Sequence, residues 1–163
     1  MDFFAFFWNP TEKRTLEVCM KSKFLSFPLL FAVGAILYPI IEILFRGYTH
    51  VSMSVLGGIC LVSIRLVDLA VPKLRLPWKA TICAVIITQL EFICGIIVNR
   101  HLGLAVWDYS GLPLNLAGQI CPLFSFFWFL LSLPVLYFFH WKQKHPETLR
   151  LFFSRWFHLR HRA

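Results

Sequence analysis

The sequence predicts an all-α integral membrane protein, a bundle of four spans, and three observations predict it. Hydrophobic residues make up 58% of the 163 and charged residues only 15%, against roughly a quarter charged in soluble domains. Apolar runs at 24–45, 51–71, 78–98 and 116 or 121 to 141 each reach the roughly 20 residues needed to cross a bilayer core as helix. The 18 Phe and 6 Trp supply rings that favour the boundary between hydrocarbon and headgroups. A chain of this length holds one such domain, at 24–141, between an interfacial segment at 1–23 and a basic tail at 142–163.

Taken in order, Phe3, Phe4, Phe6, Phe7 and Trp8 read as an interfacial anchor. Asn9, Pro10 and Glu12 follow as N-cap, first-turn proline and capping glutamate, so a short surface helix is expected ahead of span one. The start lacks the charged n-region, short apolar core and cleavage motif of a signal peptide, so span one is read as retained. Pro28, Pro39, Pro122 and Pro134 fall within or beside spans one and four, which are expected to bend there. Ser54, Gly57 and Gly58 give span two a small-residue patch for a close helix neighbour or a second copy of the chain, and at least a dimer is expected.

Spans three and four are joined by 101–118, where Trp107-Asp108-Tyr109-Ser110-Gly111 and Pro113 mix turn formers with apolar residues. Such a stretch is expected to pack over the bundle mouth or to dip in as a re-entrant segment. In the tail, Leu149, Phe152, Phe153, Trp156 and Phe157 make one helical stripe set among Arg150, Arg155, His158 and Arg162. This amphipathic pattern fits an anionic lipid leaflet, with nucleic acid or a partner protein as the competing ligand.

The net charge of +8 follows the same logic. Basic residues cluster before span one (Lys13, Arg14, Lys21, Lys23), between spans two and three (Lys73, Arg75, Lys79) and after span four (Lys142, Lys144, Arg150, Arg155, Arg160, Arg162). Only Arg46 and Arg100 flank the opposite ends. The positive-inside rule puts both termini in the cytoplasm, and this distribution argues against a nucleic-acid face.

Charges inside apolar runs are expensive and mark candidate sites. Glu42 and Arg46 lie four apart with the acid first, the order that favours a helical ion pair, on one stripe with Gly34 and Tyr38. A self-neutralising pair is the plainer reading of them. Thr88, Glu91, Gly95 and Asn99 give span three one polar or small face, with Glu91 nearest the middle. A carboxylate at that depth needs a partner or a proton, or simply packs satisfied against a small-residue neighbour.

The expected topology sets Glu42, Arg46, Glu91, Asn99 and Arg100 in the outer half, level with His50, Asp108, Tyr109, Asn115 and Gln119. A polar cavity on the extracytoplasmic side is the expectation. Its arginines would grip a carboxylate or phosphate and its glutamates would relay protons. Arg65 and Asp68, three apart near the other end of span two, are expected to pair locally or snorkel, with coupling to a partner subunit as the alternative. The five cysteines show no CxxC and read as small buried hydrophobes. No metal-ligand spacing, phosphate-binding glycine loop or nucleophile elbow occurs, so neither a metal, a cofactor nor nucleotide hydrolysis is expected.

Trp107-Asp108-Tyr109-Ser110, Pro113, Asn115, Gly118-Gln119-Ile120-Cys121, Phe124-Ser125 and Trp128 together resemble a family of small bacterial membrane proteins labelled "putative ABC-transporter (type IV) permease". Tyr38, Glu42, Arg46-Gly47, Thr49-His50, Ser52-Met53, Gly57-Gly58 and Glu91-Phe92 with Gly95 and Asn99 fit the same pattern, over 31–128, with the basic tail outside it. The resemblance implies a multi-pass protein of the bacterial cell membrane with a transport role. The leading expectation is therefore a transporter-like or substrate-binding subunit for a polar or anionic ligand. The alternatives are an intramembrane enzyme acting on a lipid or lipid-linked substrate, with Glu91, Glu42 or His50 as acid and base, and a scaffold or regulatory subunit working through its terminal helices, with a second copy or a partner membrane subunit as its companion.

Overall fold

The computed structural model describes residues 10–144, with side chains from Phe27 onward. They form four α-helices: α1, Pro10–Arg46; α2, Val51–Ala70; α3, Leu76–Gly95; and α4, Pro122–Lys144. A π-helical turn, Ile96–His101, extends α3, and a single isolated bridge between Leu116 and Ile120 is the only strand-like pairing among the described residues. All four helices are long and apolar enough to cross a bilayer, at Phe27–Arg46, Val51–Ala70, Leu76–His101 and Pro122–Lys144. The protein is thus a multi-pass membrane protein of the predicted class.

Helix α1 starts at Pro10, the predicted first-turn proline, and runs unbroken through Pro28 and Pro39. The surface helix expected ahead of span one is therefore continuous with it rather than separate. The aromatic anchor at 3–8 and the amphipathic tail from Leu149 lie outside the described residues. Gly47, at φ 83°, ends α1 in the left-handed conformation that glycine adopts without steric cost, its N–H donating to the Ile43 carbonyl at 2.8 Å. His50 then caps α2: its Nδ1 accepts the Ser52 backbone N–H at 3.2 Å and lies 2.9 Å from the Ser52 hydroxyl.

The chain divides into two compact units, Met1–Val62 and Ser63–Ala163. In the first, the predicted small-residue patch is used within the chain. A Cβ at Gly57 would run into the Cβ of Tyr38 and come within 2.7 Å of the Gly34 carbonyl, and one at Gly58 would lie 2.6 Å from the Phe31 ring. Only hydrogen at these positions lets α1 and α2 approach so closely.

In the second unit, Ala80, Cys83, Ala84, Ile87, Glu91 and Gly95 recur at three- and four-residue intervals as the buried face of α3. Helix α4 packs on it with Ser132, Leu136 and Phe139 buried. The Ser132 hydroxyl is satisfied by the Trp128 carbonyl at 2.8 Å, so it adds no orphan polar group to that interface. Val85, Ile93, Ile97, Phe126 and Leu130 face outward. On a soluble protein they would form an adhesive patch, whereas here they are the surface that lipid covers.

Candidate functional site

Glu91 is 1% exposed, deep on α3, and both of its carboxylate oxygens are engaged. The Tyr109 hydroxyl donates to Oε1 at 3.0 Å and the Trp128 indole N–H donates to Oε2 at 2.9 Å. Each bond to a carboxylate stabilises by about 1.5–3 kcal/mol and offsets a desolvation cost of several kcal/mol. One donor comes from the connecting loop and the other from α4, so a single buried acid ties three parts of the unit together. An indole N–H only donates, but a hydroxyl both donates and accepts, so the Tyr109 contact also accommodates a protonated Oε1.

Tyr109 is held in place by stacking. Its ring lies 4.4 Å from that of Phe124 at 11° between planes, and Phe124 belongs to the first turn of α4. Nearby, Thr88 donates to the Ser125 hydroxyl at 3.0 Å, which in turn donates to the Cys121 carbonyl at 3.2 Å. Thr88 and Ser125 are thereby paired with each other and with backbone, as an apolar surround requires.

A second knot fixes the loop from above. Asn99, in the π-helical turn, accepts the Val106 N–H at 2.7 Å and donates to the Trp107 carbonyl at 3.0 Å and to Gln119 Oε1 at 2.8 Å. The Trp107 indole donates to the Gln119 carbonyl at 3.0 Å. Val106, Trp107 and Gln119 are buried, and a Cβ at Gly95 would stand only 3.0 Å from the Trp107 ring, so the absent side chain makes room for it. π-Helical turns recur at functional sites. Here the turn carries Asn99 to the loop it organises.

The rest of the loop is knit by its own polar groups. Asp108 accepts the Ser110 N–H at 2.8 Å and the Ser110 hydroxyl at 2.6 Å, an Asx turn that holds the exposed Asp108 carboxyl below the usual carboxylate range, the hydroxyl being the larger influence. Asn115 donates to the Ser110 and Leu112 carbonyls and accepts the Gly118 N–H. Arg100 is exposed and donates to the Ala117 carbonyl at 3.3 Å. Ala105, Leu114 and Ala117 adopt positive φ of 46°, 55° and 57°. Such backbone strain persists where the surroundings over-determine it, as this bonding does.

The predicted site residues therefore fall into two sets. Glu91, Asn99, Arg100, Asp108, Tyr109, Asn115 and Gln119 all belong to the second unit, where they build or anchor one loop. Glu42, Arg46 and His50 belong to the first. There the Arg46 guanidinium and the Thr49 hydroxyl both bond the Glu42 carboxylate, Arg46 also lies 4.7 Å over the Tyr48 ring, and His50 serves as the α2 cap. The self-neutralising pair is the arrangement present.

Sequence reasoning missed Trp128 as a Glu91 ligand, although its indole was the kind of donor such an acid needs. The expected pairing of Arg65 with Asp68 is present but does not stand alone. Arg65 does bond Asp68 Oδ2 at 2.8 Å, but Lys79 reaches Oδ1 at 2.7 Å and Gln143 reaches Oδ2 at 3.0 Å. Asp68 and Lys79 are each 5% exposed, so a buried charged knot joins α2, α3 and α4 at the end away from the loop.

Four helices able to cross a bilayer place the protein in the broad class of multi-pass helical membrane proteins. Over residues 17–159 the chain matches the family described as "Putative ABC-transporter type IV", and it is a member of that family. The match extends past 31–128 at both ends and takes in most of the basic tail, which the resemblance had left outside. No curated protein and no solved structure matches the chain.

Proposed function

We propose that the protein is a transport component of the bacterial cell membrane in which the loop 102–121 is the lid of a site for a small polar or anionic solute, with Glu91 as its proton-exchanging centre. The observation that carries this reading is the bonding of Glu91 to Tyr109 in the loop and to Trp128 in α4. A solute that competes for the carboxylate loosens the loop at the same moment, while a proton taken up on Oε1 turns the Tyr109 hydroxyl from donor to acceptor. Arg100 and the donors of Asn99, Asn115 and Gln119 are the groups that would orient an anion. Both termini are assigned to the cytoplasmic side, because the basic residues gather at that end of the spans.

Flux across vesicles tests it. Purified wild type and Glu91→Gln are reconstituted in liposomes carrying a lumenal pH dye and offered labelled phosphate, dicarboxylates, amino acids and choline in turn. Uptake or proton movement with at least one of them by wild type, reduced at least tenfold in a folded Glu91→Gln, is the expected result. Equal behaviour of the two proteins across the whole panel contradicts the proposal.

A further inference from the structure

The charged knot at the far end of the second unit carries one cation more than its single acid requires. Asp68 is satisfied by Lys79 and Gln143, and Arg65 is added to that arrangement. The three charges sum to +1. Only one N–H of the Arg65 fork goes to Asp68, while its face lies 5.1 Å over the Phe139 ring, which fixes the guanidinium plane. The Arg65 side chain is 16% exposed and that of Lys79 is 7% exposed, so the surplus charge is sunk in the bundle yet reachable from one side.

We infer that Arg65, backed by Lys79 and Asp68, binds the phosphodiester of an anionic phospholipid at this end of the second unit. The surroundings match that ligand and not a free anion. Arg65 sits five residues, about 7.5 Å, in from the end of α2, a depth from which a long guanidinium side chain reaches the headgroup boundary by snorkelling. Leu66, Leu69, Leu74 and Ile82 are exposed apolar residues at this end that acyl chains would cover. Lys73, Arg75, Lys142 and Lys144 are exposed around it, and the planar guanidinium fork suits two phosphate oxygens at once. Basic recesses between spans recognise anionic headgroups in this manner. This inference stands apart from the reading of Glu91 and the loop.

Lipid retention by the full-length protein tests it. Delipidated protein in neutral detergent is titrated with dioleoyl phosphatidylglycerol or dioleoyl phosphatidylcholine and read by native mass spectrometry, with inorganic phosphate as competitor. Wild type should hold phosphatidylglycerol over phosphatidylcholine. Arg65→Gln should lose about fivefold of that retention, the weight of one cation beside an anionic lipid. The rim variant Lys73→Gln/Lys142→Gln should lose less than Arg65→Gln does, since rim charges act only through screened, diffuse attraction.

Unchanged retention in Arg65→Gln overturns the site, as does a rim variant that loses as much. Displacement of the lipid by inorganic phosphate overturns the assignment to lipid. Should Arg65→Gln fail to fold, Arg65→Lys keeps the surplus charge but loses the fork, and should hold phosphatidylglycerol less tightly than wild type yet above phosphatidylcholine. A fall to the phosphatidylcholine level there also overturns it.

Discussion

The hydroxyl of Tyr109 meets the carboxylate of Glu91 at 3.0 Å, joining a residue of an irregular loop to the buried face of a membrane-spanning helix. Because the acid is 1% exposed, the bond is made where water cannot replace it. Tyr109→Phe should therefore destabilise the protein by about 1.5–3 kcal/mol, the range for a hydrogen bond to a charged group. In a Glu91→Ala background the same change should cost far less. A double-mutant cycle by unfolding in detergent checks this, and additive effects would show that the two residues do not act through one another.

The crossing of α1 and α2 makes a steric prediction. Gly57→Ala places a methyl against Tyr38 and the Gly34 carbonyl, and overpacking of that kind costs about 1–3 kcal/mol. Gly111 has nothing within 4 Å of an added Cβ, so Gly111→Ala should stay within about 0.5 kcal/mol of wild type. Thermal unfolding of the two variants, side by side, separates a close helix approach from a general cost of replacing glycine.

In the loop, Ser110 sets a pH dependence. Its hydroxyl and N–H favour the ionised Asp108, so the folded carboxyl titrates below its unfolded counterpart. The resulting stabilisation is present above the ordinary carboxylate range and is lost as pH falls through the folded value. Ser110→Ala removes the larger influence and keeps the N–H, so Asp108 should titrate at higher pH than in wild type while remaining below an unperturbed carboxylate. Carboxyl-carbon NMR of labelled aspartate reads this directly. A titration unmoved by the substitution would contradict the role given to the hydroxyl.

Much of the bundle was legible in the sequence because a bilayer imposes a length and a polarity on every span. The start of α1 at Pro10, the close approach at Gly57 and the polar face through Thr88, Glu91, Gly95 and Asn99 all follow from local spacing. Partner choice was harder to read. Glu91 finds Trp128 thirty-seven residues away, and Asp68 finds Gln143 seventy-five away, distances over which periodicity carries no information. The π-helical turn that aims Asn99 at the loop has no composition cue, since Ile96–His101 reads as ordinary helix. Loop 101–118 was expected either to pack over the bundle or to dip inward. Val106 and Trp107 pack inward while Leu102, Leu104, Leu114 and Leu116 stay exposed, a division that alternation of turn formers and apolar residues did not specify.

Hydrogen–deuterium exchange of the loop in lipid nanodiscs tests most directly the claim that Glu91 holds it down. Glu91→Leu keeps the bulk but removes both acceptor oxygens, so the bonds from Tyr109 and Trp128 are both lost. Amides of 104–112 should exchange about tenfold to a hundredfold faster than in wild type, while those of α2 within Met1–Val62 stay unchanged. Identical protection of the loop in both proteins would contradict the account.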